Sequence, residues 1–260
     1  MRLDQYLVAA GYAPSRENAK HLIEEGRVFV SGNVVLKPSR DIVGEPEIVV
    51  EKKQYVGRGG EKMAAALDLF GIDPTGWRIL DIGASTGGFT DCLLQRGAAS
   101  AVAVDAGSGQ LHKSLLADVR VRSIEKYNAR NLSVLDTGIV DLVVMDVSFI
   151  SQTYILPRIP AVLTENGLLI SLIKPQFEAG RGALGKQGVV RHVKDRIFAV
   201  TRVLEAARAV GLTPLMLAPS PILGGDGNEE FLAFFGRGAS TDGTIDIEKT
   251  VKEGAVTGSK

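Results

Sequence analysis

The sequence predicts an α/β fold: a mostly parallel sheet covered by helices on both faces, with a small α+β unit ahead of it at the N-terminus. Three observations lead there. From Trp77 onward, apolar strand-like runs alternate with helical segments, the pattern that builds a parallel sheet with crossover helices. Residues 1–53 instead pair two short helices with three short strands, punctuated by Gly11, Gly26, Gly32 and Gly44. The length of 260 residues, 45% apolar and 23% charged, suits one large and one small buried core.

In chain order, helices are expected over 2–10 and 15–25, then strands around 27–30, 33–36 and 47–51. Ser15 is suited to cap the second helix and Gly26 to stop it. The Ser31-Gly32-Asn33 triplet between alternating apolar residues reads as a hairpin turn. Tyr55 to Lys62, rich in glycine and cations, reads as a linker over 54–60 entering a helix over 61–70, which Gly71 and Pro74 close. The large domain then spans 61–237, with strands at 78–82, 100–105, 121–125, 141–146 and 167–173 and helical segments at 88–96, 109–116 and 153–163. Residues 176–190 form a glycine-rich loop, and 238–260 are expected to be a frayed tail with at most one short helix.

Composition excludes several classes of function. The longest apolar runs, such as 167–173, fall far short of the roughly 20 residues a membrane helix requires, and the N-terminus has no signal-peptide core; a cytoplasmic location is expected. Cys92 is the single cysteine, and neither it nor the three histidines have neighbours at ligand spacing, so no metal is implied. With 30 basic and 30 acidic side chains, any nucleic-acid contact must come from local patches.

Ligands of an open α/β sheet bind outside the carboxyl ends of its strands. The first strand ends in Asp81-Ile82-Gly83-Ala84-Ser85-Thr86-Gly87-Gly88-Phe89, and a helix follows at once. Such a turn brings backbone close to a ligand and offers free amides to a carboxylate. Neither the G-x-G-x-x-G nor the Gly-Lys-Ser/Thr pattern is present, which weakens the nucleotide alternatives. Asp105, ending the second strand, is placed for a ribose diol, and Glu125 or Asn128 after the third strand for an adenine. An adenosine with an amino-acid tail, S-adenosylmethionine, fits the set.

Asp146 ends the strand DLVVMD and Lys174 ends LLISLIK, two ionisable groups where buried strands stop. A lysine in a partly desolvated cleft is suited to help remove a proton from a hydroxyl. An ordinary salt bridge at two strand ends is the plain alternative. In the first unit, Arg16 and Lys20 share a helical face and Lys37 and Arg40 flank a turn, so these cations converge on a phosphate backbone or simply form a solvated face.

The run RLDQYLVAAGYAPSRENAKHLIEEGRVFVSGNVVLKPS resembles the alpha-L RNA-binding fold of the ribosomal-protein S4 type. That resemblance implies RNA contacts from Arg2, Arg16 and Lys20 with the following loop and Lys37, and from Arg58 beyond it. Lys62, Asp146, Lys174 and Glu230 resemble, in order, the Lys-Asp-Lys-Glu set of FtsJ-class RNA ribose 2′-O-methyltransferases. The motifs RGGEK, DIGASTGGFTDCLL, EKYNAR, MDVSFIS, LIKPQFE and GNEEFL are similar to those of the TlyA family, also called hemolysin A, over about residues 1 to 236. The resemblance implies a Rossmann-like class I methyltransferase sheet with an antiparallel last strand, S-adenosylmethionine as methyl donor, and cytidine ribose of 16S or 23S ribosomal RNA as target. It implies Lys62, Asp146, Lys174 and Glu230 as catalytic residues, and Asp81, Gly83, Ser85, Thr86, Gly87, Gly88, Phe89, Asp105, Glu125, Asn128 and Asp146 around the cofactor. Gly57 departs from the serine usual before Arg-Gly-Gly, and Ala106 and Ser108 from the usual loop after Asp105; Glu229 adjoins Glu230, and motif register assigns the role to Glu230.

Two rivals stand beside this reading. Methylation of an exocyclic amine usually uses an Asp/Asn-Pro-Pro-aromatic turn, where this chain has Asp146-Val147-Ser148-Phe149. An RNA-binding or hemolysin-like membrane-active protein without turnover would have no need of Lys174 or Asp146, and the chain has no hydrophobic span for a pore.

Overall fold

The computed structural model describes residues 1–24, 26–51, 54–185, 187–224, 227–240 and 243–257, the side chains of 255–257 aside. The chain divides into two compact units, Met1–Gln54 and Tyr55–Lys260.

In the first unit, helices α1 (Leu3–Ala9) and α2 (Arg16–Glu24) pack on a three-stranded antiparallel sheet of β1 (Val28–Val30), β2 (Asn33–Val34) and β3 (Ile48–Val50), in the order β2-β1-β3. Ser15 caps α2, accepting from the Asn18 amide at 3.2 Å. The hairpin turn holds Ser31 and Gly32 at φ 50° and 77°, the paired left-handed conformations that match the twist of a two-residue turn. Leu3, Leu7, Ala19, Ile23 and Val28 are fully buried between the layers.

The second unit starts with α3 (Gly59–Phe70), then β4 (Arg78–Ile82), α4 (Gly88–Gln95), β5 (Ser100–Val104), α5 (Lys113–Leu116) and β6 (Val121–Ile124). It continues through α6 (Val134–Thr137), β7 (Val140–Met145), α7 (Ile159–Val162), β8 (Leu163–Ile173), α8 (Pro175–Glu178) and α9 (Val193–Arg208). It ends with β9 (Leu212–Pro219), β10 (Phe231–Arg237) and α10 (Ile247–Thr257). The seven strands lie in the order β6-β5-β4-β7-β8-β10-β9. All neighbours from β6 to β8 are parallel, and β10 runs antiparallel to both β8 and β9. The chain winds outward from β4 to β6 and then returns to β7 on the other side of β4, so the switch point lies at the carboxyl end of β4. One apolar core lies under α7, α9 and α10 on one face, and a second lies under α3, α4 and α5 on the other. Cys92 is fully buried in the latter.

Four expectations change. The stretch expected as a linker over 54–60 is, from Tyr55 on, part of the large unit: Tyr55 is buried and the Val56 amide donates to Asp91 at 2.8 Å. The glycines there serve close approach, since a Cβ on Gly88 would meet the Gly60 nitrogen at 2.8 Å, so α3 and α4 start backbone against backbone. The tail does carry the one helix allowed for it, α10, but that helix is docked and not frayed: its Val251 is fully buried in the core. The helix expected over 109–116 is only its last turn, capped by His112. The segment 153–163 breaks into short turns around Pro157 and Pro160, where the helical hydrogen-bond ladder loses donors. The expected domain boundary at 53, Lys186 of the glycine-rich loop, and Gly225 and Asp226 of the turn before Glu230 lie outside the described residues.

Candidate active site

Strand register brings the site together. Ile82 pairs with Val104 on one side and Met145 on the other, so Gly83, Asp105 and Asp146 leave the sheet along one edge. Ile173 pairs with Phe231 of the reversed strand. The end of β8 at Lys174 therefore meets the beginning of β10 at Glu230.

Asp81 is 1% exposed, and its Oδ2 accepts from the amide and hydroxyl of Thr90 at 3.0 and 2.7 Å. Its Oδ1 is buried and has no hydrogen-bond partner among the described residues. Burial pushes this carboxyl up to about 7; the Thr90 hydrogen bonds oppose that, and the charges of Asp146 and Asp105 add to it. Asp105 accepts from the Ser85 amide at 2.8 Å through Oδ2 and from the Gly107 amide at 2.7 Å through Oδ1, which fixes the glycine loop against the next strand end. Gly83 has φ 84°, and a Cβ there would strike the Asp146 carbonyl oxygen at 2.5 Å. No other residue fits that crossing.

Two adjoining cavities open along this edge. The larger, about 440 Å³, is walled by Gly83, Asp105, Tyr127, Asn128, Val147 and Ile155. The smaller, about 230 Å³, is lined by Lys62, Asp81, Lys174 and Glu230 together with Arg58 and Phe89. Gly83, Ser85 and Asp146 wall both.

Lys62 Nζ donates to Glu230 Oε2 at 2.5 Å, with both side chains buried. Lys174 Nζ lies 2.6 Å from Asp146 Oδ1 and donates to Ser148 Oγ at 2.9 Å. Glu229 points elsewhere, to Arg196 at 3.4 Å. A buried ion pair such as Lys62–Glu230 costs desolvation that an apolar pair would not, so its place on one cavity with the partly exposed Lys174–Asp146 pair points to chemistry more than stability.

Other sequence-predicted residues divide. Thr86, Gly88 and Phe89 line the smaller cavity and Asn128 the larger. Gly87 sits away from both cavities, against Leu111 and Leu115. Glu125 turns away from the larger cavity and accepts from the Gly109 amide at 2.7 Å; the left-handed backbone at Lys126, φ 54°, redirects the chain after β6. Arg2 and Arg16 both clasp the fully buried Asp4 at 3.0 Å, and Lys20 and Lys37 are exposed. Arg58 belongs to the large unit. Residues that the sequence reading missed are Tyr127, Ser148 and Phe149 on the cavity walls, and Glu178, buried among Ser151 and Gln152. The only signal for Glu178 was its place four residues beyond Lys174.

A doubly wound sheet with its last strand reversed, and with carboxylates at three successive strand ends, places the large unit among the methyltransferases. Comparison with known proteins agrees: the FtsJ-like methyltransferase model matches residues 55–237 and the S4 domain model residues 1–45. The 16S/23S rRNA (cytidine-2'-O)-methyltransferase TlyA of Mycobacterium tuberculosis is 39% identical, over 97% of this chain and 98% of its own length. Hemolysin A of Brachyspira hyodysenteriae is 42% identical over 90% and 99%. A solved structure from Streptococcus thermophilus, provisionally assigned as a hemolysin, superposes with a TM-score of 0.77 at 38% identity, covering 99% of this chain and 96% of that one. The chain belongs to the TlyA family of FtsJ-like methyltransferases.

Proposed function

We propose that the chain transfers the methyl group of S-adenosylmethionine to the 2′-hydroxyl of a cytidine ribose in 16S or 23S ribosomal RNA. The observation that carries this reading is the pair of contacts Lys62–Glu230 and Lys174–Asp146 on one small cavity that shares a wall with the larger one. The name of the Mycobacterium tuberculosis relative supplies the nucleotide.

The residues fit the methyl donor. The orphaned Asp81 Oδ1 suits an ammonium, and the Gly83 crossing leaves room for backbone to meet a ligand. Each Asp105 oxygen keeps a lone pair for a ribose hydroxyl, and Tyr127, Val147 and Ile155 form an apolar slot for an adenine. When bound, S-adenosylmethionine supplies a methyl group on a sulfonium sulfur, and its transfer forms an O–C bond as the S–C bond breaks with its electrons returning to sulfur. Lys174 takes or guides the hydroxyl proton, Asp146 and Glu230 set the charge around it, and Lys62 positions the ribose. The S4-type unit brings the RNA, through Arg2, Arg16, Lys20 and Lys37, with Arg58 at the cavity mouth. No helix among the described residues is long and apolar enough to cross a membrane.

The test is transfer of labelled methyl to purified ribosomal subunits and to bare ribosomal RNA, followed by digestion to nucleosides, with Lys174→Ala as control. Label on the ribose that vanishes in the variant supports the reading. Label on a base, or undiminished label with the variant, overturns it.

A further inference from the structure

We infer that Ser148 is a positioning residue for Lys174: its hydroxyl fixes the rotation of the lysine nitrogen so that one of the two remaining directions of Nζ faces the ribose hydroxyl. This rests on the 2′-O transfer proposed above and adds a residue outside the four-member set. The reaction needs one specific direction at Nζ. The ribose O–H bond breaks, the electron pair left on oxygen forms the new O–C bond as the S–C bond breaks, and the proton passes to Nζ, which has first given one of its own to water. An sp³ nitrogen has three positions besides Cε. A rotor that is free among them presents its lone pair to the substrate only part of the time.

Two neighbours hold Nζ, and they act differently. Asp146 Oδ1 is 2.6 Å away, a charge contact without hydrogen-bond alignment. That contact holds the nitrogen close to the end of the Asp146 strand. Ser148 Oγ accepts the one aligned hydrogen bond that Nζ makes among the described residues, at 2.9 Å. Such a bond is directional, so the rotation is set by Ser148. Lys62 and Glu230, the other charged pair on the same cavity, are engaged with each other.

The serine is itself held in place. Phe149, directly after it, has φ 63°, a conformation that a bulky side chain adopts only where surrounding structure imposes it. Beyond it, buried Glu178 accepts from the Ser151 hydroxyl at 2.5 Å and the Gln152 amide at 2.8 Å. The Gln152 side chain donates to the Leu172 carbonyl at 2.7 Å and accepts from Ser171 at 2.6 Å. The loop bearing Ser148 is therefore tied to the strand that ends in Lys174, and to the helix after it, by a satisfied buried network. Networks of this kind rigidify the segments they join.

The variants Ser148→Ala, Ser148→Thr and Ser148→Cys separate positioning from mere packing. Ser148→Ala is expected to lower kcat roughly 10- to 100-fold, the scale of losing alignment and part of a proton transfer. KM for RNA and affinity for S-adenosylmethionine should stay within about threefold, less than 1 kcal/mol. Threonine restores kcat and cysteine does not, because a thiol is a weak acceptor. A second readout is independent of turnover: by NMR of the cofactor-free protein, the Lys174 Nζ protons exchange with water more slowly in the wild type and Ser148→Thr than in the other two. Wild-type kcat in Ser148→Ala, equal activity of cysteine and threonine variants, unchanged proton exchange, or a loss of cofactor affinity matching the loss of kcat would each overturn the role of Ser148. These outcomes are distinct from failure of the transfer reading, which is methyl label on a base, or on no RNA, with the wild-type protein.

Discussion

Lys62 and Glu230 lie 168 positions apart in the chain and meet as a buried ion pair at 2.5 Å. The reversal of β10 makes the meeting possible: the beginning of this strand, and not its end, lies at the edge where the parallel strands finish. Removing one partner leaves an uncompensated buried charge. Lys62→Met should therefore destabilise the large unit by about 3–5 kcal/mol, and Lys62→Met with Glu230→Gln should recover most of that. Thermal unfolding measures the recovery; methyl transfer should be absent from both variants.

Asp81 has a folded value of about 7 against an ordinary 3.8. A carboxyl that is raised on folding binds its proton more tightly in the native state. Its contribution to stability is full below about pH 4 and is lost as the pH rises through about 7. Asp81→Asn should flatten that part of the stability profile, measured by urea unfolding across the window. If an ammonium docks on Oδ1, binding favours the carboxylate and releases a proton. Cofactor affinity should then rise with pH by up to about tenfold per unit below 7 and level off above it, as calorimetry in buffers of different ionisation heat would show.

Asp4 behaves in the opposite sense. Hydrogen bonds from Arg2, and secondarily from Arg16, hold its carboxyl down at about 2 against an ordinary 3.8, although burial opposes them. Its stabilisation is present above about pH 4 and is lost as the pH falls through about 2. Asp4→Asn in the full chain should weaken the first unit by up to about 2 kcal/mol at neutral pH, read as faster amide hydrogen exchange along α1. The same variant frees two arginines, so RNA affinity and stability should move in different directions if those arginines also reach phosphate.

Gly83→Ala tests the crossing at the end of β4. The new Cβ would meet the Asp146 carbonyl oxygen at 2.5 Å, at φ 84°. The strand ends must part, and affinity for S-adenosylmethionine should fall about tenfold or more. Unchanged affinity would show that this crossing has slack that the packing does not suggest.

Much of this was readable from the residues. Asp105, Asp146 and Lys174 are legible as candidates because each ionisable group directly follows an apolar strand, and Asp81 because it sits one residue before such an end. Glu230 was a matter of motif register, and the structure separates it from Glu229 by what each touches. Glu125 does not line the larger cavity, and nothing in EKYNAR announces the left-handed turn at Lys126 that follows it. Tyr55 read as linker because its neighbours are glycines; those glycines are there because α3 and α4 start in contact. The tail reads as frayed because its apolar content is low, yet Val251, with Ile245 and Ile247 beside it, packs α10 against the core. Ser148 is an ordinary serine in sequence, and only the 2.9 Å contact with Lys174 distinguishes it.

The buried pair that joins α3 to β10 also orders events during synthesis. Lys62 is synthesised 168 positions before Glu230, so until then its ammonium lacks that counter-charge, and β10 is still missing from the sheet. The pair can therefore form only once β10 has taken its place beside β8.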